Sequence, residues 1–219
     1  MSSARVTSSI ATPRGTVLIL SCSLALASGC NCGRGNSREA IDVTGLGAAG
    51  FNYTQGTYVI GFVFRAKSAI KITQLGFYDS NLTGRAETFE SHAVGVYDLS
   101  THALLGSTTV DASNPVTAVF RYATLTSPIA LGSADTYAVV GVTGTNFYTV
   151  GIRQGEAPVD PALVYVSGAG YSETANNNAP TQTSALVEPN AFDTGNIFGE
   201  APPVDILADF GPNFMFVGS

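Results

Sequence analysis

Residues 58–65 read YVIGFVFR, a run in which apolar side chains dominate. From Tyr58 to Phe64 every second side chain is a large apolar one, as on the buried face of a β-strand. Aromatic and β-branched residues fill the run, and both classes favour strands over helices. We therefore expect a β-strand here, with one face in a hydrophobic core.

Further runs of this kind follow along the chain, separated by turns rich in Gly, Asn, Asp and Pro. They lie at 70–78, 93–99, 104–110, 116–125, 129–131, 136–143 and 213–217, with weaker candidates at 147–152 and 163–166. Within 70–78 the apolar positions change parity after Ile72, which predicts a bulge or twist. Residues 126–128 (TSP) are expected to break the strand before them. The run 136–143 is almost wholly apolar, which is typical of a central strand.

This spacing predicts an all-β protein, folded as a single antiparallel β-sandwich of jelly-roll-like form. Residues 168–211 are polar and contain several prolines, so we expect a long loop there before the last strand. The composition is 45% hydrophobic and 12% charged, which is enough to bury a core and argues against disorder.

The first residues of the chain have the pattern of a signal peptide. Residues 16–29 (TVLILSCSLALASG) carry no charge and are too few to span a bilayer, which takes about 20 residues. Residues 26–30 (LASGC) resemble the lipobox of bacterial lipoproteins, in which the cysteine receives the lipid, although Leu is commoner than Ala at position 27. The resemblance implies lipidation of Cys30; ordinary secretion with cleavage after Ala27 is the alternative.

We therefore divide the chain into a lipoprotein signal peptide (1–29), a flexible tether (30–50) and the β-sandwich domain (51–219). The expected location is the bacterial cell envelope, at the outer membrane or cell surface, with the lipid on Cys30 joining the protein to the membrane. The signal peptide takes Arg5 and Arg14 with it, so the ten basic residues become eight against sixteen acidic ones, a net charge of −8. So acidic a domain disfavours nucleic acid as a partner.

Six short motifs follow one another along the domain in a characteristic order. GFVFRA is followed by ITQLGFYDS, HAVGVYD, FRYATL, TYAVVG and the closing FGPNF. This order resembles a family of bacterial exported β-sandwich domains of unknown function, whose members often carry PEP-CTERM sorting tails. The resemblance covers about residues 58–217 and matches 168–211 poorly. It implies a fold and an exported location, and it brings no established activity.

Residues 79–90 (DSNLTGRAETFE) match the template of a twelve-residue calcium loop. The oxygen ligands that the template predicts are Asp79, Asn81, Thr83, the Arg85 carbonyl, Glu87 and Glu90. Strands flank the loop, so this is not an EF-hand, and Arg85 brings an unfavourable positive charge. The alternative is a solvated acidic turn that binds no metal.

Other residue types offer less chemistry. His92 follows Glu87 and Glu90 and could join carboxylates in acid–base work, but a histidine that bonds a neighbour at a strand edge is the simpler interpretation. No nucleophile elbow, HExxH motif or phosphate loop occurs in the sequence, so we do not expect an enzyme. Tyr148, Tyr165 and Tyr171 could stack on sugars, although tyrosines of a sandwich more often fill its core.

The sequence thus favours a lipid-anchored exported protein with a non-catalytic binding or envelope-structural role, without a cofactor and with a glycan or an envelope protein as partner. The first alternative is a carbohydrate-binding or adhesion module stabilised by calcium. The second is an enzyme of unrecorded type that uses His92 with nearby carboxylates.

Overall fold

The computed structural model describes part of the chain. The ranges are 36–43, 50–53, 57–79, 89–144, 147–153, 159–171, 181–192 and 206–219. These residues contain strands and no helix, and hence no helix that could cross a membrane. In chain order the strands are β1 (Arg38–Glu39), β2 (Gly50–Tyr53), β3 (Val59–Ala66), β4 (Ile70–Tyr78), β5 (His92–Asp98), β6 (Ala103–Val110), β7 (Val116–Thr117), β8 (Phe120–Leu131), β9 (Tyr137–Val142), β10 (Phe147–Arg153), β11 (Leu163–Gly170), β12 (Asn190–Phe192), β13 (Ile206–Phe210) and β14 (Pro212–Gly218).

Two larger antiparallel sheets form the sandwich. One has the strand order β1-β14-β4-β8-β7, and the other has the order β12-β11-β3-β9-β5-β6. A smaller sheet has the order β13-β10-β2. The chain crosses between the two larger sheets from β3 to β4, from β4 to β5 and from β8 to β9, as in jelly rolls. The predicted all-β sandwich is therefore confirmed.

The main hydrophobic core lies between these two sheets. Phe62 and Phe64 of β3 meet Phe214 of β14 there, with ring centroids 6.2 and 4.8 Å apart. The predicted buried face of β3 is confirmed, since the side chains of these two phenylalanines are almost fully buried. Aromatic pairs at this spacing add to the stabilisation that comes from burial alone.

The opposite face of the six-stranded sheet is also covered. Val63 of β3 and Val140 of β9 belong to a second apolar cluster on that face. Residues 181–189, here called the strap, lie across it, and Leu186 packs against the cluster. The Tyr97 hydroxyl donates to the Leu186 carbonyl at 3.3 Å. Burial on both faces explains why β9 is apolar at every position. Its central place was predicted, and its neighbours in the sheet are β3 and β5.

The parity change in β4 is a bulge, as predicted. On β14, Met215 and Phe216 are consecutive, but their partners on β4 are Gln74 and Ile72, so Thr73 is the extra residue. An extra residue returns the later side chains of the strand to the core face.

The predicted break at 126–128 is wrong, because β8 continues to Leu131. Its pairing with β4 passes from Thr124 directly to Ile129, so Pro128 lies in an irregular stretch of the ladder. A proline lacks the N–H that regular pairing needs, and a bulge removes that requirement.

The tether predicted at 30–50 is wrong for residues 38–43. Arg38 and Glu39 pair with β14, and the next residues are buried in the core. The side-chain amide of Asn213 accepts from the Ile41 N–H at 3.3 Å and donates to the Ile41 carbonyl at 2.8 Å. The folded domain therefore begins before residue 51, and the polar composition of this stretch concealed three buried apolar side chains, those of Ala40, Ile41 and Val43.

The segment 168–211 is more ordered than a single loop. It includes the end of β11, the strap, and strands β12 and β13. The polar composition misled the prediction, although Tyr171, Leu186 and Val187 pack against the second cluster.

Candidate functional site

The acidic loop begins at a buried ion pair. Asp79 directly follows β4 and is fully buried, and its Oδ2 accepts from Arg121 Nε at 2.6 Å. Arg121 Nη1 also donates to the carbonyls of Ala112 and Asn114, at 2.9 and 3.1 Å. The Asp79 N–H donates to the Val119 carbonyl. Asp79 thereby ties the end of β4 to the β7–β8 hairpin.

The loop ends at an aromatic stack around His92. The imidazole lies parallel to the Phe77 ring, with 3.8 Å between ring centroids. Phe89 meets the same imidazole edge-on at 5.1 Å, and the Arg121 guanidinium lies over the Phe89 ring at 5.2 Å. A cation over an aromatic face is attracted by the ring quadrupole, so Phe89 links the ion pair to the histidine.

His92 is only 3% exposed, and this burial has the largest effect on the pKa of its imidazole. Desolvation lowers its pKa below the ordinary value of 6.5, against the opposing effects of the Val142 carbonyl, Glu90 and Asp79. Nδ1 lies 3.1 Å from the Val142 carbonyl oxygen. Because a carbonyl only accepts, this nitrogen carries the proton of the neutral ring.

Glu90 comes immediately before this stack. Its carboxylate occupies the place where a side chain at Gly144 would stand, so that position has no room for a Cβ. Glu90 and Asp79 both act on the charge of His92, which places the two ends of the loop at one end of the sandwich.

Two of the six predicted calcium ligands, Asp79 and Glu90, lie in the described part of the chain. The other four lie outside it: Asn81, Thr83, Arg85 and Glu87. Among the described residues, no group of three His, Cys, Asp or Glu side chains could hold a metal ion. A guanidinium already engages one oxygen of Asp79, which disfavours a second cation there. The calcium hypothesis stays a prediction, and unfolding temperatures in chelator and in calcium would decide it.

Two of the three predicted sugar-stacking tyrosines, Tyr165 and Tyr171, pack on opposite faces of the six-stranded sheet. Tyr165 packs against the main core 6.4 Å from the Phe62 ring, and burial raises its pKa. Tyr171 packs against the second cluster, on the other face of the six-stranded sheet. Tyr148 lies in β10, and its side chain is outside the described part of the structure, as is Cys30. Both tyrosines are partly buried, and sugar binding by them stays a prediction.

Arg121 is the member of this site that sequence reasoning missed. The available signal was a lone charged residue in the otherwise apolar or uncharged strand FRYATL. Such a residue inside a strand is rarely buried without a partner of opposite charge. The pattern did not indicate which carboxylate would be the partner.

No family model matches this chain, and no curated protein does. The resemblance to exported sandwich domains therefore stays a prediction, and the interpretation of the site depends on its geometry.

The lowered pKa of His92 predicts a stability that depends on pH. The unfolded chain takes up a proton near pH 6.5, whereas the folded chain resists it until a lower pH. The contribution of the neutral ring is therefore complete above pH 6.5 and is lost as the pH falls towards the folded pKa, by up to about 1.4 kcal/mol per pH unit.

Urea unfolding between neutral and mildly acidic pH would measure this dependence. We expect His92→Gln to flatten the profile more than His102→Asn, which replaces the only other histidine of the chain. His102 is exposed and has a positive φ of 61°, which asparagine accepts. An equally steep profile in His92→Gln would contradict the assignment.

Proposed function

We propose that this protein is a lipid-anchored, exported bacterial β-sandwich protein with a non-catalytic role, in binding a glycan or an envelope protein or in envelope structure. The lipid on Cys30 is its connection to the membrane. The exported location is inferred from the sequence. The non-catalytic role is inferred from a site in which Asp79 and His92 are held by contacts within the fold.

The observation that carries the non-catalytic part is the state of Asp79 and His92. A general acid or base must reach the proton that it transfers. Asp79 is fully buried and paired with Arg121, and His92 lies between Phe77 and Phe89 with Nδ1 on a backbone carbonyl. These contacts support a structural lock at the ends of the loop and give little support to the alternative of an enzyme that uses His92.

Only a few residues separate Cys30 from the folded domain along the chain. The first described residue is Asn36, and β1 begins at Arg38. Six residues can span at most about 20 Å, whatever their conformation. A lipid on Cys30 would therefore hold the sandwich close to the bilayer.

Labelling with a fatty-acid analogue tests the anchor. We expect the full chain, expressed in a bacterial host, to incorporate the label and to fractionate with membranes. Cys30→Ser should lose both properties completely, because the thiol is the acceptor of the lipid. Cys32→Ser is the matched control, since it removes a thiol two residues away and should keep the label. Label that persists in Cys30→Ser, or is absent from the unaltered chain, would refute the proposal.

A further inference from the structure

Charge is unevenly distributed along the chain after the signal peptide. Residues 30–71 contain five basic and two acidic residues, whereas residues 72–219 contain three basic and fourteen acidic ones. The first part therefore has a net charge of +3 and the remainder a net charge of −11. The basic residues that follow the signal peptide are therefore concentrated before residue 72.

Three of the basic residues surround the connection between β3 and β4. Arg65 is the last residue but one of β3, Lys67 is in the connection, and Lys71 is the second residue of β4. All three are exposed, and within the described part of the structure none forms an ion pair. We call these three residues the basic turn.

The basic turn lies at the end of the sandwich where the chain enters the domain. Arg38 pairs with Phe216, so the residues before β1 lead towards the end of β14. That end adjoins the β3–β4 connection, because Gly218 pairs with Ile70 and the Ser219 N–H donates to the Ala69 carbonyl at 3.2 Å.

The carboxylates described at this end have partners of their own. Asp160 forms an ion pair with Arg38 at 3.2 Å, and a carboxylate oxygen of Glu188 lies 2.6 Å from His102 Nδ1. Asp98 accepts hydrogen bonds from Ser100 within its own turn, and Asp135 accepts one from the Tyr137 hydroxyl at 3.4 Å. No ion pair joins any of them to the basic turn, whose three cations are exposed to solvent.

We propose that the basic turn is the surface of the sandwich that rests on anionic lipid headgroups once Cys30 is acylated. This inference depends on the proposed function, since the anchor brings the bilayer within reach. Lys and Arg side chains are attracted to an anionic leaflet within about a Debye length of its surface. The acidic remainder of the domain is repelled, so the molecule stands with its loop end, at Asp79 and His92, away from the bilayer.

Amine acylation can test this contact directly, because Lys67 and Lys71 are the only lysines of the chain. The full lipidated chain is reconstituted in vesicles of phosphatidylethanolamine with phosphatidylglycerol, or of phosphatidylcholine alone. Peptide mass spectrometry then follows the reaction of the two lysines with an N-hydroxysuccinimide ester. We expect acylation to be at least about fivefold slower on the anionic vesicles, and the difference to disappear in high salt.

Two variants sharpen the result. Arg65→Gln keeps both reporter lysines and should reduce the difference between vesicles, because it removes one of the three charges. Ala112→Lys adds a reporter in the exposed turn after β6, at the opposite end of the sandwich, and its rate should be the same on both vesicles.

The possible failures are distinguishable. Equal rates at Lys67 and Lys71 on both vesicles, with the mass of the lipid present on Cys30, overturn the contact and leave the anchor intact. Equal slowing at the Ala112→Lys reporter also overturns it, since it indicates adsorption without orientation. A chain that lacks lipid on Cys30 overturns the proposed function, and this inference with it.

Discussion

Arg121→Met should lower the free energy of unfolding by about 3–5 kcal/mol, because it removes the guanidinium that pairs with the fully buried carboxylate of Asp79. Methionine retains much of the apolar volume of the arginine stem and removes the charge. The variant also loses the two hydrogen bonds from Nη1 to the carbonyls of Ala112 and Asn114. Chemical denaturation of the variant and of the unaltered chain measures the difference.

The double variant Asp79→Val/Arg121→Met distinguishes the cost of removing one member of the ion pair from the net contribution of the whole pair to stability. Replacing both members of a buried ion pair with apolar side chains is often nearly neutral. We therefore expect the double variant to recover most of the loss. A single variant that costs less than about 1 kcal/mol, or a double variant as unstable as the single, would mean that Asp79 is solvated and not held by Arg121.

Gly61→Ala should be at least as damaging, by about 3 kcal/mol or more. Gly61 lies in β3, opposite Val140 of the central strand β9, and an added Cβ would overlap the Val139 carbonyl oxygen. The obstacle is backbone held by β-ladders on both sides of β9, so it cannot rotate away as a side chain could. Strand separation or loss of β3–β9 pairing is the only relief.

Gly218→Ala is the matched control. Gly218 is the last residue of β14, and a Cβ there would meet nothing within 4 Å. Thermal unfolding of the two variants should show a large loss for Gly61→Ala and almost none for Gly218→Ala. Similar values would mean that β3 and β9 are not as closely paired as described.

Much of the sandwich could be predicted because its strands obey local rules. The apolar run at 70–78 coincides with β4, and its change of parity marked the bulge at Thr73 before any partner was known. The elements that were missed are short or polar. β1 has two residues, and its position depends on Asn213, 172 residues from Ile41. No local pattern carries information about a contact of that kind.

The candidate site was predicted in part for the same reason. The acidic loop was visible as a motif, so Asp79, Glu90 and His92 could be named together. Their partners could not, since Arg121 is 42 residues from Asp79 and Val142 is 50 residues from His92. Burial holds Asp79 and His92 in contacts with these distant partners, and burial is a property of the assembled sheets.

The manner in which residues 38–43 join the domain also determines how the protein would bear mechanical load. A pull on the chain before Arg38 would load the Arg38–Asp160 ion pair together with the two residue pairs between β1 and β14, and then the hydrogen bonds of the Asn213 side-chain amide to Ile41. The two larger sheets keep their long strand pairings when these few contacts open. The N-terminal segment would therefore detach and extend under tension while the sandwich stays folded. It would dock again when the tension falls.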